Sequence, residues 1–329
     1  MSKILILGMG GTIAGIAANP EKDPLQYDAG QVSIDALFKG LNLSPSTNIQ
    51  FEQIANINSC DLTHDLMSQL GTRVNQALID PEISGVVVTH GTDTIEETGL
   101  FLHACCGQLA FELGKVVALT GAMLPSNAPN ADGPANLLLA LELVTKAIKD
   151  QKIKIDGGIV GVFAGRVIAA RDYRKRSSEA MDAPVSDSPE LTVNRLDPGI
   201  EVPIPEKGDW PWVDVLTSYA DVNPAIFEFL LASKVKGLVL AGTGQGNLHK
   251  NLLNSMIKAK ELGLPMIRAT RTGGGLIREQ VGMDDSKLAT LPAGSLSPAQ
   301  ARVLLQLAIH AADKDKSLDW KKIFATIAG

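Results

Sequence analysis

The sequence predicts an α/β fold on a mostly parallel sheet, with a larger N-terminal domain and a smaller C-terminal α/β domain. Three observations carry this. Short, wholly apolar runs alternate with longer stretches of helical spacing, as expected for strands joined by crossover helices. Aromatic residues make up only 4% of the chain, so Leu, Ile, Val and Ala must build the core, as in sheets covered on both faces. A Pro- and Gly-rich stretch then separates one such series from a second.

Taken in order, residues 4–7 read as a buried strand. Residues 16–31 are polar, contain Pro20, Pro24 and Gly30, and are expected to form a mobile lid loop that carries Tyr27. Residues 63–79 place Leu66, Leu70, Val74 and Leu78 at helical spacing, and 85–89 form a second strand. Thr94-Ile95-Glu96-Glu97 has capping-box spacing, so a helix should open at Thr94 and run to about Leu109. A third strand at 115–120 and a helix at 133–149 follow. Residues 158–162 and 166–170 flank Ala164-Gly165 and read as a hairpin. Pro198, Pro203, Pro205, Gly208 and Pro211 then interrupt the pattern. The expected domains are 1–203 and 212–329, with 204–211 as linker. In the second domain, 213–216 and 237–240 are strands and 248–262 a helix. Asn223-Pro224 and Ser297-Pro298 have the form of an N-cap followed by an N1 proline.

The 329 residues carry a net charge of −6, which argues against nucleic-acid binding. The one basic cluster, 171–176, reads as a solvated loop with Lys175 as its candidate of interest. Cys60, Cys105 and Cys106 make no CxxC or zinc spacing, and the adjacent pair is badly placed for a disulfide. Buried apolar thiols are the expectation for Cys105 and Cys106. The histidines show no HExxH pattern, so no metal is expected. No apolar run approaches the length of a membrane span, and the unpaired cysteines, with no leader ahead of the first strand, lead to the expectation of a cytoplasmic location, the periplasm being the alternative where a leader has been removed.

Two glycine-flanked threonines stand out chemically. Thr12 lies in Gly10-Gly11-Thr12-Ile13-Ala14-Gly15, and Thr92 lies in His90-Gly91-Thr92-Asp93-Thr94, each just behind a predicted strand. Ligands of open parallel sheets sit outside the carboxyl ends of the strands, so both hydroxyls are expected at one crevice. A dinucleotide fingerprint would need glycine where Ile13 stands, and no P-loop lysine follows, so no nucleotide cofactor is expected. A threonine nucleophile needs a base, which Lys175 can supply if burial or a neighbouring cation lowers its pKa. Asp93, beside a helix N-terminus, suits a substrate ammonium group, and Ser59 with glycine-turn N–H groups suits a carboxylate. The residues alone indicate a hydrolase or binder of a small zwitterion.

These two motifs resemble the paired signatures of bacterial-type L-asparaginases. The similarity continues through Gly121-Ala122-Met123-Leu124-Pro125-Ser126, Ala131-Asp132-Gly133-Pro134, Arg171-Asp172-Tyr173-Arg174-Lys175, Gly244-Gln245-Gly246-Asn247-Leu248 and Ser297-Pro298-Ala299-Gln300-Ala301-Arg302. The resemblance implies cofactor-free hydrolysis of L-asparagine through an acyl-enzyme. Thr12 would be the primary nucleophile and Tyr27 its lid partner. Thr92, Asp93 and Lys175 would form a second triad, with Lys175 as neutral base. Ser59 and Asp93 would bind the substrate's α-carboxylate and α-amine, the Ala122 backbone its amide, and N–H groups around Gly11, Gly91 and Thr92 the oxyanion. The family's usual homotetramer, a dimer of dimers, would bring Asn247 into a neighbouring subunit's site. Two positions depart from its periplasmic-type members: Cys60 replaces the usual glutamine beside the site serine, and Gly282 an acidic residue, with Glu279 nearby. Weak turnover of glutamine is the expected consequence. The rivals are a glutaminase-asparaginase, an amidohydrolase acting on aminoacyl-tRNA, which the lack of a basic patch disfavours, and an inactive amino-acid sensor.

Overall fold

A computed structural model describes residues 3–41, 43, 48–149, 158–182, 184–185 and 199–329, in two compact units, Met1–Ile204 and Pro205–Gly329. The first unit has a six-stranded sheet. In chain order its elements are β1 (Lys3–Gly10), β2 (Ile16–Ala17), β3 (Tyr27–Asp28), α1 (Ile34–Leu37), β4 (Ile49–Ile57), α2 (His64–Ile79) and β5 (Ile83–Thr89). There follow α3 (Ile95–Glu112), β6 (Val116–Thr120), α4 (Gly133–Lys149), β7 (Gly158–Phe163), β8 (Arg166–Ala169), β9 (Arg174–Lys175) and β10 (Pro184–Val185).

The sheet order is β4-β1-β5-β6-β7-β8, parallel throughout except for the β7–β8 hairpin. The chain therefore leaves β1 toward β4 on one side and returns to β5 on the other. This reversal makes the carboxyl ends of β1 and β5 the topological switch point of the sheet, where a crevice opens. Apolar side chains alternate between the faces. Ile4, Ile6, Val87, Val116 and Ala118 pack with Leu137, Ala140, Leu141 and Val144 of α4. The opposite face is covered by α2 and α3, which pack on each other. The hairpin turn has positive φ at both Ala164 (48°) and Gly165 (78°), the mirror-image turn that matches strand twist.

The second unit has a four-stranded parallel sheet in sequential order: β11 (Val213–Thr217), β12 (Gly237–Gly242), β13 (Met266–Thr270) and β14 (Thr290–Pro292). Its helices are α5 (Ala225–Ala232), α6 (Leu253–Glu261), α7 (Asp285–Leu288), α8 (Pro298–Lys314) and α9 (Trp320–Ala328). Ser297 opens α8 with a full capping box: its hydroxyl accepts from Gln300 N–H, and the Gln300 side chain accepts from Ser297 N–H. Phe227, Leu230, Met256 and Ala259 seal one face of the sheet, and α8 packs along the other.

The alternation predicts the fold class correctly, four local expectations change, and one strand of the six-stranded sheet is unexpected. Thr94 does precede α3, but its hydroxyl donates to the Ser59 carbonyl at 2.8 Å and caps nothing. The helix expected from residue 248 starts later, because His249 Nδ1 accepts from Asn251 N–H and a 3-10 turn, Lys250–Leu252, precedes α6. The basic cluster is not a solvated loop: Arg171 and Arg174 are 4% and 6% exposed. The loop after Gly15 contains a small ribbon, with β2 and β3 paired antiparallel. Strand β4 has no place in the sequence pattern: it is an edge strand in which Gln50, Phe51 and Gln53 are exposed and no residue is fully buried, so apolar alternation is weak.

Two buried histidines make stability depend on acid. His90 and His103 are each 1% exposed. Burial lowers the pKa of His90 to about 4, against the raising effect of its hydrogen bond to the Gly91 carbonyl. Burial, helped by the Arg171 charge, lowers that of His103 to about 3. The ordinary value is 6.5, so the unfolded chain takes up these protons first as pH falls. The contribution of each histidine is present above pH 6.5 and drains away as pH falls toward the folded value. For His90 this is on the order of 3 kcal/mol. The thermal midpoint is therefore expected to hold near neutrality and drop between about pH 6.5 and pH 4. His103→Leu should make that drop shallower in unfolding scans at stepped pH.

Candidate active site

The site begins with glycine geometry. Gly10 and Gly11 have φ of 90° and 81°, where a Cβ is strained. The β1–β4 register jumps from Gly8–Gln53 to Gly10–Ile57, so the chain turns out of the sheet at this point. A Cβ on Gly11 would overlap the Gly91 backbone, and one on Gly91 would overlap the Ser59 side chain. Three turns, after β1, β4 and β5, thus stack in van der Waals contact at the switch point. Only glycine at positions 11 and 91 permits this.

Each turn delivers a functional group. Thr12, 8% exposed, opens a 3-10 turn, and its Oγ1 lies 2.7 Å from the Tyr27 hydroxyl. Tyr27 comes from β3, inside the segment expected to form the lid. Thr92, 3% exposed, accepts a hydrogen bond from Lys175 Nζ at 2.9 Å. The same ammonium lies 2.6 Å from Asp93 Oδ1. Lys175 is 20% exposed at its side chain and Asp93 53%, so this pair opens to solvent on the carboxylate side. Ser59, 3% exposed, lies in the 3-10 turn after β4. Ala122 is fully buried in the turn after β6, where the absence of a Cβ on Gly121 lets the chain lie against the His90 carbonyl. Cys60 is exposed with a free thiol, while Cys105 and Cys106 are buried, and burial raises both thiols well above their ordinary range. Thr12, Tyr27, Ser59, Thr92, Asp93, Ala122 and Lys175 all belong to the first unit.

Behind this layer stand groups that the sequence does not advertise. His90 Nε2 is 3.0 Å from the Thr98 hydroxyl, and its Nδ1 is 2.8 Å from the Gly91 carbonyl. As the neutral ring with Nδ1 protonated, His90 donates to Gly91 and accepts from Thr98. Asp132 accepts from the Met123 and Leu124 N–H groups at 2.9 and 3.0 Å, which fixes the turn carrying Ala122. Asn136 Nδ2 donates to the Gly121 carbonyl at 3.0 Å. Position alone marks Asp132, directly before α4, as a capping type; nothing in a single sequence marks His90 or Asn136.

Asn247, Glu279 and Gly282 belong to the second unit. Asn247 closes a tight turn by a two-way backbone pairing with Thr243. Gly282 has φ of 81°, and a Cβ there would overlap the Asn247 carboxamide. Any side chain at 282 would therefore displace Asn247. Glu279 is exposed and lines a cavity of about 360 Å³ with Phe324, Ala328 and the terminal Gly329. Among the described residues, no group of three or more His, Cys, Asp or Glu side chains could hold a metal ion, and no helix is long and apolar enough to cross a membrane.

Hydroxyl groups presented on strand-end turns, each bonded to a second ionisable side chain, define the framework of an acyl-transfer hydrolase. The model for the asparaginase N-terminal domain matches residues 3–195, and that for the glutaminase/asparaginase C-terminal domain matches 212–324. The chain belongs to the asparaginase family and is a hydrolase of that class. It is 30% identical over 324 residues to L-asparaginase 2 of Bacillus subtilis, covering 94% of this chain and 83% of that one. It is 31% identical over 337 residues to the glutaminase-asparaginase of Acinetobacter glutaminasificans, covering 96% and 98%. A crystal structure of a probable cytoplasmic L-asparaginase from Campylobacter jejuni matches with a TM-score of 0.81 and 32% identity, covering 99% of each chain.

The stacked glycines give a direct test. Gly11→Ala combines backbone overlap with a positive φ and is expected to lower stability by roughly 2–4 kcal/mol. Chemical denaturation would measure this. Wild-type stability in that variant would contradict the contact between the turns.

Proposed function

We propose that the protein hydrolyses L-asparagine to L-aspartate and ammonia with Thr12 as nucleophile. Thr12 Oγ attacks the side-chain amide carbon, and Tyr27, 2.7 Å away, relays the hydroxyl proton. The carbonyl oxygen gains charge in the tetrahedral intermediate. Backbone N–H groups of the turns around Gly11, Gly91 and Thr92 are the donors suited to that charge, and such donors are commonly worth about 3 kcal/mol each. The C–N bond then breaks, nitrogen leaves as ammonia with the transferred proton, and the aspartyl group stays on Thr12 as an ester. Water activated by the Thr92–Lys175–Asp93 group hydrolyses that ester. Ser59 binds the α-carboxylate with Cys60 beside it, Asp93 binds the α-ammonium, and the Ala122 backbone holds the side-chain amide. The observation that carries this reading is the pair of hydroxyl relays, Thr12–Tyr27 and Thr92–Lys175–Asp93, on two turns in mutual contact.

The same proposal extends to assembly and location. The protein works as a homotetramer, a dimer of dimers, in which Asn247 is offered to the site of a neighbouring copy. It acts in the cytoplasm, needs no cofactor, and binds neither nucleic acid nor membrane. Residues 1–203 form the catalytic domain with a mobile lid at 16–31, 204–211 the linker, and 212–329 the smaller domain.

Selectivity follows from two positions. Cysteine is a weak hydrogen-bond partner, so Cys60 gives little grip beside Ser59. Gly282 brings no acid, and the Asn247 carboxamide fills the space an acidic side chain would use. A substrate longer by one methylene is therefore held less well. The specificity constant for L-asparagine is expected to exceed that for L-glutamine by about 10-fold or more. Comparable constants would discard this argument and make the protein a glutaminase-asparaginase.

Ammonia release from both amides, measured in parallel over a concentration series, tests the activity. Thr12→Ala and Thr92→Val should each lower kcat by about 1000-fold while retaining aspartate binding. Full turnover in either variant would overturn its role. Absence of release from folded wild-type protein would leave an amino-acid-binding sensor as the reading.

A further inference from the structure

Tyr27 reaches Thr12 from a segment with almost no core of its own. Residues 18–29 are exposed or half-buried, and the β2–β3 ribbon is only two residues long on each side. A ribbon this short does not hold a side chain in place by itself. Its support comes from the loop after β6. Ser126 donates both its N–H and its hydroxyl to the Gly15 carbonyl, at 2.9 and 2.8 Å. Gly15 is the floor for the Tyr27 ring, since a Cβ there would stand 2.8 Å from Tyr27 Cδ2. One step further, Asn127 makes a two-way bond to Ala17. Its Oδ1 accepts from Ala17 N–H at 2.9 Å, and its Nδ2 donates to the Ala17 carbonyl at 2.8 Å.

Ala17 is the register partner of Tyr27 in the ribbon. In an antiparallel pair, a residue whose N–H and C=O point outward can be bonded only from the other side. The Asn127 carboxamide occupies that side with one donor and one acceptor, and so replaces a third strand. We infer that Asn127 is a positioning residue: by completing the hydrogen bonding of Ala17, it holds the Tyr27 hydroxyl on Thr12. Asparagine suits the task because its carboxamide presents both bonding groups in the peptide's own geometry. An aspartate would keep the acceptor and set its second oxygen against the Ala17 carbonyl. Asn127 itself is exposed, so changing it removes these two bonds without opening the core.

The inference rests on the reading of Thr12 and Tyr27 as a catalytic pair, and the test separates the two. Full-length wild type, Asn127→Leu, Asn127→Asp, Tyr27→Phe and the Tyr27→Phe/Asn127→Leu double variant are compared for kcat and KM on L-asparagine. Hydrogen exchange of the Ala17 amide is followed in the same proteins. Asn127→Leu is expected to lower kcat about 10-fold, with KM within about 2-fold of wild type. Asn127→Asp should fall between the two. Ala17 exchange should quicken in Asn127→Leu, and in the Tyr27→Phe background the leucine change should cost no further kcat. Wild-type kcat in Asn127→Leu, unchanged Ala17 exchange, or an equal loss in both backgrounds would overturn the inference. Wild-type kcat in Tyr27→Phe would instead sink the catalytic pair itself, whatever Ala17 exchange shows.

Discussion

The contact between Gly11 and Gly91 is the constraint on which the site depends. Parallel strands lie about 4.8 Å apart, so turns leaving neighbouring strand ends would normally be kept apart by their Cβ atoms. Removing those atoms at two facing positions lets the turns after β1 and β5 touch. The reversal of strand order between the same two strands clears the space above them. Topology thus supplies the crevice, and two glycines bring two hydroxyls to its floor. The Ser59 turn completes the stack, because Gly91 also yields room to Ser59.

Around this contact the polar groups are arranged so that few backbone atoms are left to chance. Thr94 gives up its capping role to hold the Ser59 carbonyl, which links the β4 turn to the start of α3. His90 holds Gly91 from below by donating from Nδ1, and its Nε2 accepts from Thr98 only as a neutral ring, a state that burial enforces. Asp132 and Asn136 fix the turn that carries Ala122. These side chains trade local helix or core stability for the position of a turn. That trade is expected where chemistry requires loops held as firmly as strands.

Much of this was legible in the chain. The apolar runs marked β1, β5, β6, β7, β11 and β12, though not β13, whose run is broken by Arg268, or β14, and the glycine-flanked threonines pointed to the crevice. The exceptions share one cause: they depend on partners distant in sequence. Strand β4 looks polar because it is an edge, yet it delivers Ser59. Thr94-Ile95-Glu96-Glu97 has the spacing of a capping box, but the Ser59 carbonyl competes for the hydroxyl and wins. Arg171 and Arg174 look like surface charge and are buried. Asn127 stands in an ordinary turn sequence, and its partner Ala17 lies 110 positions away. Local pattern reports periodicity and propensity; it does not report which distant backbone group is short of a bond.

The second unit solves the same problem with charge. Arg268 is fully buried in β13 and donates from every nitrogen: Nε and Nη2 to the two Asp285 oxygens at 2.7 and 2.6 Å, Nη2 also to the Arg278 carbonyl, and Nη1 to the Gln245 and Val281 carbonyls. Burial pushes the Asp285 carboxyl up, but the bonds from Arg268, Thr290 and Gln280 outweigh it and the net shift is down. A bare buried ion pair gains little, because desolvation offsets the attraction. Here the guanidinium also links two irregular segments, the turn that ends in Asn247 and the loop that holds Glu279 and Gly282. Neither segment has a strand or a long helix to order it. The charge that would be a liability in an apolar core therefore acts as a fixed bonding centre. It sets where Asn247 and Gly282 meet, and with them the surface the unit presents.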